Sequence, residues 1–186
     1  MQNEIKNALS VLKEGGLILY PTDTVWGIGC DATNPEAVQR IYTLKQREDS
    51  KALICLVADD RMLQKYVKQI PNAALDIINI TDKPTTIIYD DAQNLASNLI
   101  AEDGSIAIRI PDDEFCYQLS RKFNGAIVST SANISGEPTP KSFKEISPVI
   151  LKGVDYIVNL RREKICAKPS SIIKLSNTGI VKIIRK

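Results

Sequence analysis

Six consecutive apolar residues, Ala52 to Val57 (ALICLV), constrain this chain more than any other feature. A strand with one wet face alternates apolar and polar residues, so a short unbroken run describes a central strand covered on both faces. A sheet covered twice needs helices on either side, and the flanking sequence supplies them. Ile5, Ala8, Leu9 and Leu12 share one face of an opening helix that stops at Gly15-Gly16. Asn34-Pro35 offers an N-cap and a first-turn proline to a helix that keeps Ala37, Ile41 and Leu44 on one side. Helical spacing returns at 59–69, 71–80 and 112–123, and strand patterns occur at 17–20, 85–90, 105–110 and 126–131. Three further strand candidates, 156–160, 170–175 and 180–185, close the chain and can pair antiparallel. The expected fold is α/β: one domain over residues 1–186, built as a twisted mixed sheet with flanking helices. With 186 residues, 44% of them hydrophobic, the chain is long enough to bury such a core.

Several chemistries are excluded by composition. There is no histidine, so neither a Ser-His-Asp nor a Cys-His nucleophilic site can be built, and the usual proton shuttle near neutral pH is missing. Cys30, Cys55, Cys116 and Cys166 lack the paired spacing of zinc or redox sites and read as thiols of a reducing compartment. No metal site is expected from such residues. The opening segment lacks a signal-peptide core, and no run approaches the roughly 20 apolar residues of a membrane span. A cytoplasmic protein with no membrane partner is the expectation. Its formal charge of +2 is too even to make the whole surface a nucleic-acid platform, so a charge-driven role must be local.

Three clusters can carry such a role. Pro21-Thr-Asp-Thr24 and Gly27 and Gly29 crowd into the turn after the first strand, either as turn formers or as a pocket floor with hydroxyls aimed at a ligand. For Thr22 the two readings, a backbone staple and a direct contact, stand side by side. Lys45, Arg47 and Lys51 place three cations within seven residues at a helix end, where a dipole-stabilised solvated end competes with an anion clamp. Ser129, Thr130, Ser131, Asn133 and Ser135 follow an apolar strand and precede Gly136. Open α/β sheets bind ligands beyond strand ends, so the first and third clusters can face one crevice.

The segments YPTDTVWGIGCDA, KQREDSKALI, IAIRIPD, STSANISGEP and PSSIIKL, in this order and spacing, resemble the YrdC-like threonylcarbamoyl-adenylate synthases, the TsaC family, over nearly the whole chain. The resemblance implies an enzyme, a nucleotidyltransferase, that joins L-threonine, bicarbonate and ATP into threonylcarbamoyl-AMP and releases pyrophosphate. Separate transfer proteins then use that intermediate for threonylcarbamoyladenosine in tRNA, and tRNA itself is a partner the context suggests. The chain resembles the short, single-domain form. By the same resemblance, Lys45 and Arg47 hold ATP phosphates and carry the catalysis, and Thr24, Arg109, Ser131 and Ser170 surround threonine. Lys51, Ser105, Asn133, Lys141 and Arg185 join Lys45 and Arg47 on ATP, and Mg2+ arrives with the triphosphate. The sequence departs from the family pattern at three places: Lys51-Ala52 before the apolar strand, Thr81 to Thr86 (TDKPTT) where relatives read WPGPLT, and Lys141 where a small hydroxyl residue is frequent. Two rival readings remain, a tRNA-binding module without turnover and a carbamoyl-adenylate domain using carbamoyl phosphate for hydrogenase maturation.

Overall fold

The computed structural model describes residues 1–47, 53–166 and 168–186. Lys51 and Ala52 lie outside the described residues. One sheet of nine strands runs through the molecule in the order β7-β1-β2-β6-β3-β5-β4-β8-β9. The strands are β1 (Ile18–Tyr20), β2 (Gly27–Gly29), β3 (Ile54–Leu56), β4 (Thr85–Tyr89), β5 (Ile106–Arg109), β6 (Ile127–Ser131), β7 (Tyr156–Ile157), β8 (Ser171–Leu175) and β9 (Val181–Arg185). Among the described residues, three parallel pairs (β1 with β7, β3 with β5, β4 with β8) are interspersed among five antiparallel ones, so the sheet is mixed as expected.

The helices are α1 (Gln2–Lys13), α2 (Pro35–Lys45), α3 (Asp60–Leu63), α4 (Asn72–Ile80), α5 (Glu114–Phe123) and α6 (Pro148–Gly153). Asn34 accepts the Ala37 N–H at 3.0 Å and caps α2 as its sequence predicts. Asp113 does the same for α5 through the Cys116 N–H at 2.9 Å. Among the described residues, no helix is long and apolar enough to cross a membrane.

The two faces of the sheet are covered unequally, and this inequality creates the site. On one face Leu19, Ile28, Cys55, Val57, Ile106 and Val128 pack into a large core with Val38, Ile41 and Tyr42 of α2 and Ile150 of α6. On the other, α1 and α5 pack on each other and on Ile18, Tyr20, Leu56 and Ile127. That pair covers only the β1 side of its face. The same face farther along, through Ile54, Ile88, Ala107, Arg109 and Ser129, carries no helix among the described residues and lines a cavity.

Three expectations need correction. The stretch after β1, read as a turn, contains β2, which pairs with β1 from Gly27 to Gly29 and with β6 through Gly27 and Ile28. A Cβ on Gly29 would come within 2.6 Å of the Val128 carbonyl and 2.7 Å of the Tyr20 ring, so this glycine admits neighbouring protein, not ligand. The pattern at 59–69 forms only four helical residues, Asp60–Leu63, because Tyr66 and Val67 are drawn into the core beside β4 and its following turn. The tail strands do not stay together either. β7 joins β1 in parallel, while β8 runs parallel to β4 and only β9 pairs with it antiparallel.

Candidate active site

A cavity of about 310 Å3 occupies the uncovered part of the sheet. It is lined by Thr22, Thr24 and Gly27 after β1, Arg47 beyond α2, Arg109 at the end of β5, Ser129 to Ser131 at the end of β6, and Ser170 and Arg185 beside β8 and β9. Residues from every part of the chain meet there because β2 doubles back between β1 and β6, bringing the threonine-rich turn beside the serine-rich strand end.

The turn is built from its own hydroxyls. Thr22 Oγ1 donates to the Val25 carbonyl at 2.8 Å, accepts the Thr24 N–H at 3.0 Å and lies 2.9 Å from Thr24 Oγ1. Thr22 is therefore a staple as well as a wall residue, which joins its two sequence readings. Thr24 Oγ1 accepts from Arg109 Nη2 at 3.4 Å, and Arg109 Nη1 is ion-paired with Asp23.

Lys45 and Arg47, adjacent in motif, have different fates. Lys45 is 1% exposed, and its Nζ donates to the carbonyls of Ser131 at 2.5 Å and Asn133 at 2.6 Å, clamping the end of α2 to the turn beyond β6. Burial, with a smaller contribution from the Arg47 charge, pushes its pKa down to about 7. Arg47 lines the cavity, and burial lowers its pKa as well, which favours an anion beside it.

The opposite wall belongs to the sheet edge. Arg185 Nε and Nη2 donate to the Ser170 carbonyl at 3.0 and 2.8 Å, and Ser170 Oγ lies 2.8 Å from Thr86 Oγ1. Consecutive residues on a regular strand point to opposite faces, yet Ile184 and Arg185 both line the cavity. The register explains it: Ile172 opposes Arg185 and Ile173 opposes Ile183, leaving Ile184 as the extra residue of a bulge.

Not every residue named from sequence reaches this cavity. Thr24, Arg47, Arg109, Ser131, Ser170 and Arg185 do. Lys45 does not line it, being spent on the two carbonyls. Asn133 Nδ2 donates to the carbonyls of Ile134 at 3.1 Å and Glu137 at 2.7 Å, tying the turn together, and its buried Oδ1 has no partner among the described residues. Ser105 sits at the start of β5, opposite the end that carries Arg109, and its Oγ and N–H donate to Asp103 at 2.5 and 3.1 Å. Lys141 is exposed, and its backbone receives Cys166 N–H at 2.7 Å. Residues that sequence reasoning passed over are Asp23, whose partner is 86 positions away, and the apolar shelf of Ile88, Ala107, Ile172 and Ile184. By sequence the shelf residues belong only to strand candidates, and the openness of their face shows in the cavity they line.

A protein-family model described as "Telomere recombination", which covers the Sua5, YciO and YrdC proteins, matches residues 10–186. The chain belongs to this family. It is 34% identical over 161 residues to the threonylcarbamoyl-AMP synthase of Pseudoalteromonas translucida, covering 85% of this chain and 86% of that protein. With the synthase of Vibrio campbellii the identity is 32%, over 91% of this chain and 97% of the other. Among solved structures, E. coli YciO matches with a TM-score of 0.86 at 25% identity, covering all of this chain and 90% of that one. P. abyssi Sua5 complexed with L-threonine matches with a TM-score of 0.82 at 27% identity over 92% of this chain, which spans half of the Sua5 chain. HypF, at 24% identity and 28% of its length, shares the fold.

Proposed function

We propose that this protein is a threonylcarbamoyl-AMP synthase, forming threonylcarbamoyl-AMP and pyrophosphate from L-threonine, bicarbonate and ATP. The observation that carries the reading is a single cavity joining an arginine set among hydroxyls, Arg109 beside Thr24, to two more arginines, Arg47 and Arg185, across an apolar shelf. The names of the relatives and the threonine bound by P. abyssi Sua5 point the same way.

In this reading Arg109 pairs the α-carboxylate of threonine, and Thr24 and Ser131 surround its side chain. The shelf of Ile88, Ala107, Ile172 and Ile184 offers the nucleobase a flat apolar surface, and Arg47 and Arg185 face the phosphates. The amine of threonine adds to the carbon of bicarbonate with loss of water, giving a carbamate. A carbamate oxygen then attacks the α-phosphorus, and pyrophosphate leaves with the electron pair of the broken P–O bond. The protein contributes orientation and charge neutralisation, since no histidine is available for proton transfer. Magnesium would come on the triphosphate, where it keeps several waters and needs few protein oxygens. The product is a reactive mixed anhydride, consumed by separate transfer proteins that act on tRNA.

Pyrophosphate release, measured with each substrate omitted in turn, tests the reaction; release should require all three. Replacing threonine by serine removes one methyl group and should lower kcat/KM about 10- to 200-fold. Equal constants for threonine, serine and valine would overturn the threonine-selective site. Tight tRNA binding with no pyrophosphate under any combination would replace the enzyme by a nucleic-acid module.

A further inference from the structure

Arg109 is held from behind by a residue that does not line its cavity. The side chains of Arg109 and Asp23 are 4% and 8% exposed, and Nη1 pairs with Asp23 Oδ1. Thr24 holds Nη2 at 3.4 Å, while Nε is buried with no partner among the described residues. Asp23 lines instead a second cavity of about 500 Å3 on the far side, below Ile87, Tyr89 and Ile108, whose side chains point away from Arg109 along their strands. The guanidinium thus has one corner tied to an anion and one edge, Nε to Nη2, with an orphaned donor and a weakly held one.

We propose that Asp23 is a positioning residue for amino-acid recognition, fixing the Arg109 guanidinium so that its Nε–Nη2 edge receives the substrate carboxylate. The argument is electrostatic and geometric. A buried guanidinium without a counter-ion is costly, so Asp23 keeps the cation in place while the site is empty. A substrate carboxylate then meets a fork already oriented, which removes part of the ordering cost of binding. Because Asp23 faces another cavity, the substrate carboxylate does not contest its place. Asp23 acts through Arg109, so its effect should appear only with ligands that carry a carboxylate.

This inference rests on the amino-acid reading of the cavity, and the experiment separates the two. In wild type, pyrophosphate release that requires threonine supports that reading, and its absence overturns the reading itself. In Asp23→Asn the KM for threonine should rise about ten- to a hundredfold, the size of one charge-assisted hydrogen bond, with the KM for ATP unmoved. L-threoninol, which has a hydroxymethyl group in place of the carboxylate, should inhibit wild type and Asp23→Asn with the same constant. Asp23→Glu, which restores the charge, should recover most of the threonine affinity and carries the test should Asp23→Asn not fold. Unchanged or tighter threonine binding in folded Asp23→Asn would overturn the proposal. So would threonine and threoninol weakening in step in either variant, because that marks general damage to the turn.

Discussion

The two walls of the cavity are built on opposite principles. The inner wall, formed by the turn after β1 and the ends of β5 and β6, buries its polar groups: Thr22, Thr24, Arg109, Ser129 and Thr130 are each at most 8% exposed. Its geometry is over-determined by the Thr22 staple, the Asp23–Arg109 pair and the Lys45 clamp. The outer wall hangs on the edge strand β9, every residue of which is exposed, and one side chain, Arg185, ties its end back to Ser170. Few buried contacts mean a low cost of local opening. A preformed wall suits discrimination of a small substrate, and an adaptable edge suits a large nucleotide that brings its own contacts.

The sharpest break of this comparison is Arg109→Ala. It should lower threonine binding by about a hundredfold or more and, because Asp23 is left buried without its partner, cost about 3–5 kcal/mol of stability. Thermal melting and threonine titration read both; a variant that melts like wild type would show that the inner wall is not held by this pair.

Next in size, Arg47→Ala and Arg185→Ala sharpen the difference between the walls. Arg47→Ala should raise the KM for ATP about ten- to a hundredfold, from one or two charge-assisted bonds, with little change in melting temperature. Arg185→Ala should raise it only about fivefold, roughly 1 kcal/mol, because its neighbours on the edge readjust. Equal effects would mean that the edge holds its arginine as firmly as the end of α2 holds Arg47.

The smallest effect concerns pH. Lys45 has a pKa of about 7 when folded and the ordinary 10.5 when unfolded. Between these values the unfolded chain binds the extra proton, so rising pH favours the folded state. Lys45 should contribute a slope of at most about 1.4 kcal/mol per pH unit. Unfolding of wild type and Lys45→Met, compared between pH 7 and 9, should show wild type gaining on the variant as pH rises. A constant difference would mean that Lys45 stays protonated in its clamp.

Much of the inner wall was legible because local chemistry and tertiary role coincide there. Asn34-Pro35 starts α2 where a capping residue and a first-turn proline dictate, and Thr22 and Ser129 to Ser131 stand at strand ends where ligands bind. Lys45 was legible as a cation but not as a buried one, since its two acceptors lie 86 and 88 positions away. The local bonds of Asn133 and Ser105 were not legible for a related reason: short polar side chains bond nearby backbone and carboxylate groups as readily as they bond ligands.

What the amino-acid sequence determined by itself is the inventory: apolar runs for a doubly covered sheet, caps that start the helices, and no histidine, which leaves catalysis to positioning and charge. Tertiary structure alone decided which polar residues meet. Asp23 finds Arg109 because β5 ends beside the turn after β1, and Ile184 and Arg185 turn to one side because β9 bulges against β8. Periodicity assigns a residue to one face of its own strand. Whether that face is buried or open depends on which helices land on it, a property of long-range packing that no local pattern encodes.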